Sequence, residues 1–332
     1  MVNFNPSKDI PPLTNKVILV TGGNIGLGKQ SILEFARHGR PKEIWLASRN
    51  LERGKAAAED IVQRQLVVSD TTATTTTTTT TKVKVLEMDL SSLQSVRVAA
   101  ERFLSESDRL DILMLNAGVM ATPPGMTVDG YEVQWGTNHV GHASLARLLL
   151  PILERTAKLE ECAAGDDGHG HGDVRIVSLS SHGHVYGPKG GIVFESLKTD
   201  GAKLGAYERY GQSKLANILW AKEMSRRYPW MKVVSVHPGV VSTNLLNGAT
   251  GSPGWIKAVF GAGRAMGLTS SVEKGVRNQL WAATAKEDLV KNGEYFEPVG
   301  VMGKGSKHTQ DDELARKVWE WTEAELDRSL GE

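Results

Sequence analysis

A single cysteine, Cys162, in 332 residues excludes an intramolecular disulfide and suits a reducing compartment. No charge of one sign dominates. The 39 Lys and Arg against 38 Asp and Glu leave a formal charge of +1, so nothing electrostatic points to nucleic acid or to an anionic membrane. No apolar run approaches the roughly 18 residues of a membrane span. Met1 to Lys16 carries Pro6, Pro11 and Pro12 without an apolar stretch, so no secretory signal is expected there. What remains is 40% hydrophobic and 23% charged, the profile of a soluble, cytoplasmic protein with material for a large core.

Short β-branched runs alternate with helix-length segments. Val17–Val20, Ile44–Ala47, Val83–Leu86, Ile112–Leu115, Arg175–Ser178, Val233–Val236 and Glu294–Phe296 read as strands. Between them, Gly26–His38, a segment from Leu51, Ser92–Glu106, Tyr131 to Leu159 and Tyr207–Arg227 read as helices, and Asp311–Leu330 closes the chain as another. The alternation predicts an α/β fold: one doubly wound, Rossmann-type domain of about seven parallel strands with helices on both faces.

Two segments break the rhythm. Residues Asp70–Thr81 include eight consecutive threonines from Thr74, and so polar a run cannot offset its ordering entropy by burial; a disordered surface insert is expected. Ala163–Gly172 holds His169, His171, Asp166 and Asp167 in a glycine-rich loop. Two histidines in such a loop, with one cysteine in the chain, do not make a zinc cage, and no metal is expected.

Chemistry enters with four short strings in fixed order. Gly22, Gly26 and Gly28 leave the first strand and open a helix, as a tight turn facing a pyrophosphate requires. Asn116-Ala117-Gly118 follows the fourth strand and Leu179-Ser180-Ser181 the fifth. Tyr210 and Lys214, four apart, share one helical face. A phenol titrates near ~10, and a neighbouring ammonium would bring that value down, so this tyrosine could exchange a proton with a carbonyl oxygen. Ser181 would donate a hydrogen bond to the same oxygen. Tyr228 and Lys232 repeat the spacing, but Pro229 lies between them and the pair bridges a helix end and a strand, so it is read as structural. His182, His184 and His237 near Ser181 suggest a hydrolase, yet the string Leu-Ser-Ser-His-Gly lacks the leading glycine of a nucleophile elbow.

The Gly-x-x-x-Gly-x-Gly spacing after Thr21, with the other strings in order, resembles the short-chain dehydrogenase/reductase family over roughly Lys16 to Glu297. The long gap between Ser181 and Tyr210 and the string Tyr210 to Asn217 look most like retinol-dehydrogenase-type and related fungal reductases. The resemblance implies a catalytic set of Ser181, Tyr210, Lys214 and Asn138, the asparagine positioning a water for proton relay. It implies cofactor contacts from Gly22, Asn24, Ile25, Gly26 and Gly28, from Asp89 and Leu90 beside the adenine, and from Asn116, Ala117 and Gly118 beside the ribose. It implies too that Tyr210 and Lys214 contact the cofactor and that Pro238, Gly239, Val241 and Thr243 grip the carboxamide. Ser178 stands where the family frequently has asparagine. On this reading residues 1–15 are an N-terminal extension, 16–300 the dinucleotide-binding catalytic domain and 301–332 a helical tail.

The second strand ends Ala47-Ser48-Arg49-Asn50, without the carboxylate that NAD enzymes place on the ribose 2′-hydroxyl. Arg49 offers a planar fork for a 2′-phosphate and Ser48 a second contact, so NADP(H) is expected. The segment from Thr243 to Leu268, with Leu245, Leu246, Trp255, Phe260 and Met266, is either a lid over the substrate or a surface helix packed on the core. Together with Val185, Tyr186 and Val193 it suggests a lipophilic or aromatic carbonyl or alcohol, of retinoid-like, steroid-like or polyketide-like character. The alternative is a catalytically idle NADP-binding sensor or scaffold on the same fold. The oligomeric state is left open.

Overall fold

The computed structural model describes residues 2–66, 80–164, 173–241, 249–251 and 270–331. Their frame is a seven-stranded, all-parallel sheet. Its strands are β1 (Val17–Thr21), β2 (Glu43–Ser48), β3 (Lys82–Glu87), β4 (Ile112–Leu115), β5 (Arg175–Leu179), β6 (Lys232–Val236) and β7 (Tyr295–Phe296), in spatial order β3-β2-β1-β4-β5-β6-β7. From β1 the chain winds outward to β3, then returns to the far side of β1 for β4 and continues to β7. The reversal opens a crevice at the carboxyl ends of β1 and β4, where ligands bind in such sheets.

The strands read as Val/Ile/Leu runs because both faces are covered. Val17 and Leu19 of β1 join one core cluster and Ile18 and Val20 the other, as a period of two requires. The first cluster is closed by α3 (Leu93–Glu106), α4 (Gly141–Ala164), α5 (Ala206–Arg227) and α7 (Asp312–Leu330). The second is closed by α1 (Gly26–Glu34), α2 (Leu51–Leu66) and α6 (Arg277–Thr284).

Two expected helices carry a wide π turn that periodicity does not reveal. One, Phe35–Gly39, extends α1; the other, Gly136–Val140, precedes α4. In the second turn the Gly141 N–H donates to the carbonyl of Gly136, five residues back, so the helical ladder slips in register there. Tyr228 ends α5 and Lys232 opens β6, the lysine donating to the carbonyls of Glu287 and Val290; this second Tyr–Lys pair joins no site.

Both termini are packed. Phe4, Ile10 and Leu13 are buried beside α1. Helix α7 lies along α5, stacking Trp319 on Trp220 at 6.3 Å, and His139 meets Thr322 of α7 at 2.8 Å. Among the described residues no helix is long and apolar enough to cross a membrane, and no group of three His, Cys, Asp or Glu side chains is arranged to hold a metal. The threonine run up to residue 79, the loop histidines His169 and His171, and Thr243, Leu245, Leu246, Trp255, Phe260 and Met266 lie outside the described residues.

Candidate active site

A groove of about 380 Å³ opens at the carboxyl ends of β1, β2, β3 and β4, within the range of ligand sites. Gly22, Asn24, Ile25, Gly26, Ser48, Arg49, Asp89, Leu90, Asn116, Ala117 and Gly118 line it. Gly22 and Gly26 stand at φ 65° and 56°, which a Cβ would strain. Gly28 lines no part of the groove but lets its floor close: a Cβ there would overlap the carbonyl oxygen of Gly22 and lie 2.6 Å from Asn116 Nδ2. Helix α1 thus begins with its free N–H groups at a wall that only glycine permits, which suits a pyrophosphate. The turn is pinned from below, since Thr21 Oγ1 accepts from the N–H groups of Asn116 and Ala117, both at 2.9 Å.

Arg49 is exposed at the rim and has no ion-pair or hydrogen-bond partner among the described residues. Asn50, not Arg49, caps α2, its side chain accepting from Arg53 N at 2.8 Å. The Ser48 hydroxyl donates to the Asn50 carbonyl at 3.0 Å. Asp89 accepts from the N–H and hydroxyl of Ser91, at 2.9 and 2.7 Å.

Beyond Gly118 the groove gives onto buried polar groups. A Cβ on Gly118 would lie 3.0 Å from Asn138 Oδ1 and 3.4 Å from Lys214 Nζ. Lys214 and Tyr210 project from α5, 4% and 5% exposed. The lysine Nζ donates to the Leu179 carbonyl at 2.8 Å and lies 6.0 Å from the centre of the Tyr210 ring. Burial pulls the ammonium down to about 8. Burial also pushes the phenol up to about 12, its hydrogen bond with Ser181 pulling the other way. The expected lowering of the phenol by the lysine is therefore corrected: at 6.0 Å, with Nζ held by Leu179, the ammonium does not offset the lost hydration.

Ser181 sits at the head of a 3₁₀ turn, His182–Tyr186, and its Oγ accepts from Gly183 N at 3.0 Å. Gly183 packs so closely on the tyrosine that a Cβ would lie 2.8 Å from Tyr210 Cε1. His184 braces the same turn, donating from Nδ1 to the Ser181 carbonyl at 2.7 Å and accepting at Nε2 from Ser306 N at 3.0 Å. His182 pairs with Glu297 at 2.8 Å. Asn138 is fully buried in the wide turn. Its Oδ1 accepts from Val119 N, and both amide protons are used, on Val119 O and Ser213 Oγ.

The family model described as short chain dehydrogenase matches residues 16–159. A short-chain dehydrogenase/reductase, drtF, of Aspergillus calidoustus is 37% identical over 327 residues, 96% of this chain and 95% of that protein. Human retinol dehydrogenase 13 is 36% identical over 322 residues, 95% and 85% of the two chains. The crystal structure of an uncharacterized protein from Mycobacterium paratuberculosis superposes with a TM-score of 0.69 at 28% identity, covering 98% of each chain.

The chain belongs to the short-chain dehydrogenase/reductase family. It is an oxidoreductase of a family that uses nicotinamide cofactors, and its likeness to retinol dehydrogenases and a fungal reductase agrees with the resemblance drawn from its motifs.

Within this dehydrogenase/reductase fold, the glycine turn, the end of β2, Asp89–Leu90 and Asn116–Gly118 surround one groove, and Asn138, Ser181, Tyr210 and Lys214 gather at its inner end. Pro238, Gly239 and Val241 follow β6 and do not line the groove. Val185 and Tyr186 are exposed on the turn after Ser181, whereas Val193 is tied by its N–H to Gln212 Oε1 on α5. Sequence reasoning passed over Leu27, Met88, Val119, Met120 and Thr137, which complete the lining with Thr21 and Ala47. Adjacency to the motifs was their only signal. It also missed the buried pair of Arg209 and Glu132, 2.9 Å apart beside Tyr210, because nothing in sequence joins positions 77 residues apart.

Proposed function

We propose that this short-chain dehydrogenase/reductase transfers hydride between NADP(H) and a lipophilic or aromatic carbonyl or alcohol. The observation that carries the reading is that Ser181 and Tyr210 close on the same point, a Cβ on Gly183 lying 3.2 Å from Ser181 Oγ and 2.8 Å from Tyr210 Cε1, with Lys214 on the tyrosine's helical face at the inner end of a groove built on glycine. The residues fit a dinucleotide: only glycine satisfies the close approach at position 28, and Arg49 stands unpaired at the rim where a 2′-phosphate needs a planar cation. Gly22, Asn24, Ile25 and Gly26 would hold the pyrophosphate side, and Ser48 and Arg49 the 2′-phosphate. Asp89, Leu90 and Asn116–Gly118 would hold the adenine and ribose, and Pro238, Gly239, Val241 and Thr243 the carboxamide.

When bound, the nicotinamide supplies or takes up the hydride. In the reducing direction Tyr210 gives its phenolic proton to the carbonyl oxygen, so that carbonyl, hydride and proton together make the alcohol. Ser181 donates a hydrogen bond to the same oxygen as charge develops on it. Lys214 holds the ribose side and, with its proton, stabilises the phenolate left behind. Asn138 braces this end of the site. Exposed Val185 and Tyr186 on the turn after Ser181 favour an apolar substrate, selected by buried area at roughly 25 cal/mol per Å². A catalytically idle sensor is left without support, since cofactor binding alone needs no serine–tyrosine pair.

The deciding experiment measures kcat/KM with NADPH and with NADH against a panel matched for carbonyl reactivity: bulky apolar ketones and aldehydes, quinones and small charged oxo-acids. NADPH with apolar carbonyls is expected to lead. Equal efficiency with NADH overturns the cofactor assignment, and preference for oxo-acids overturns the substrate class.

A further inference from the structure

The groove and the tyrosine end are joined from beneath by one buried histidine. His142 lies at the start of α4, 3% exposed, with both ring nitrogens engaged. Nδ1 is 2.9 Å from the main-chain carbonyl of Asn138, and Nε2 is 2.9 Å from Thr21 Oγ1. A carbonyl only accepts, so Nδ1 carries the proton and Nε2 presents its lone pair to the Thr21 hydroxyl. The two lone pairs of that hydroxyl are taken by the N–H groups of Asn116 and Ala117. All the hydrogen-bonding capacity of Thr21 Oγ1 is thereby used, in one orientation.

The chain of bonds continues past Asn138. Its Nδ2 donates to Ser213 Oγ at 2.9 Å, and Ser213 Oγ donates to the Tyr210 carbonyl at 2.8 Å. Asn138 lies in the π turn, where the helical ladder has slipped by one residue. Full burial pushes the imidazole down to about 3 and the nearby Lys214 charge adds to that, so His142 is neutral and places no second cation beside the lysine.

We propose that His142 is a positioning residue that braces two parts of the site at once, the dinucleotide cradle at Thr21 and Asn116–Ala117 and the Asn138–Ser213–Tyr210 end. The proposal rests on the reading of the groove as an NADPH site. The two ring nitrogens divide the work: Nε2 serves the cradle and Nδ1 serves the reacting end.

Three variants test this on the full chain. His142→Phe keeps ring volume and removes both bonds. His142→Asn reaches the position of Nδ1 but not Thr21, and His142→Gln reaches the position of Nε2. The readouts are Kd for NADPH by fluorescence, kcat per folded molecule, and the melting temperature without cofactor. His142→Phe is expected to raise Kd and lower kcat by about tenfold each, the scale of one lost buried hydrogen bond. His142→Asn should chiefly raise Kd, and His142→Gln should chiefly lower kcat. If His142→Phe does not fold, the contrast between the other two decides. A lower melting temperature with unchanged Kd and kcat, or equal effects of the Asn and Gln variants on both constants, overturns this double bracing. Wild-type protein that fails to bind NADPH overturns the underlying reading and this inference with it. Tight wild-type binding with no split among the variants overturns the double bracing alone.

Discussion

Lys214 and Tyr210 stand one turn apart on α5, yet the lysine Nζ is bonded to the Leu179 carbonyl at 2.8 Å and lies 6.0 Å from the centre of the tyrosine ring. Without cofactor, then, the ammonium is buried against one carbonyl and its hydration is poorly replaced. A folded value of about 8 against 10.5 for the free side chain sets the sign. Below pH 8 both states hold the proton and the burial penalty is fully present. Between 8 and 10.5 the folded chain has released the proton that the unfolded chain keeps, so this group makes stability rise with pH. Lys214→Met is expected to stabilise the cofactor-free protein at pH 7 by up to about 3 kcal/mol, the gap closing toward pH 10. Urea unfolding at pH 7 and 9.5 checks this; a variant less stable than wild type at pH 7 contradicts it.

Tyr210→Phe removes the transferable proton and keeps the ring that packs on Gly183. NADPH should bind with little change, while turnover falls by about 10²–10⁴, the usual contribution of a positioned acid. Stopped-flow turnover alongside fluorescence titration separates the two. Near-normal turnover would remove Tyr210 from the mechanism.

His139 and His142 are fully buried, and burial pushes each down to about 3 from 6.5. Both contribute stability that is complete above pH 6.5 and lost as pH falls toward 3, because the unfolded chain takes up protons that the folded chain refuses. Together these two should make stability fall by about 3 kcal/mol per pH unit once below the unfolded values, and His237, pushed down to about 4 by burial, adds to that slope. His139→Gln, which cannot take up the proton, should reduce that slope by about 1.4 kcal/mol per pH unit. Urea midpoints at pH 7, 5.5 and 4.5 measure it, and a flat profile to pH 4.5 would contradict the assignment.

Arg209 is buried with Glu132 at 2.9 Å and also donates to the carbonyls of Thr122 and Pro123. Glu132 in turn accepts from the N–H groups of Gln134 and Trp135. Arg209→Met leaves that carboxylate buried without its cation, and burial already raises its pKa. A loss of about 3–5 kcal/mol is expected. Adding Glu132→Gln to Arg209→Met should recover part of it; a double variant as unstable as the sum of the singles would show that the two residues act independently.

The seven strands were legible in sequence to within about a residue at each end, because a sheet covered on both faces demands unbroken apolar runs between turns. The glycine turn at the groove was legible for a similar local reason: Gly22, Gly26 and Gly28 answer a steric demand made within one turn of chain. The identities of Ser181, Tyr210 and Lys214 came from the same kind of short-range pattern. The two π turns were not legible, since adding one residue to a turn hardly disturbs the apolar stripe around it.

What the sequence by itself determined is the order of elements and the residue types that meet at the carboxyl edge of the sheet. Local sterics and burial act over a few neighbouring positions and leave their mark there. Only the tertiary structure decided the protonation and partners of those residues. Burial raises Tyr210 where spacing suggested lowering, and the Leu179 carbonyl holds the Lys214 ammonium. His142 joins Thr21 to Asn138 across 121 and 4 residues of chain, and Arg209 finds Glu132 across 77. Desolvation and hydrogen bonding depend on which atoms surround a group in space, and that is settled only when the elements have packed.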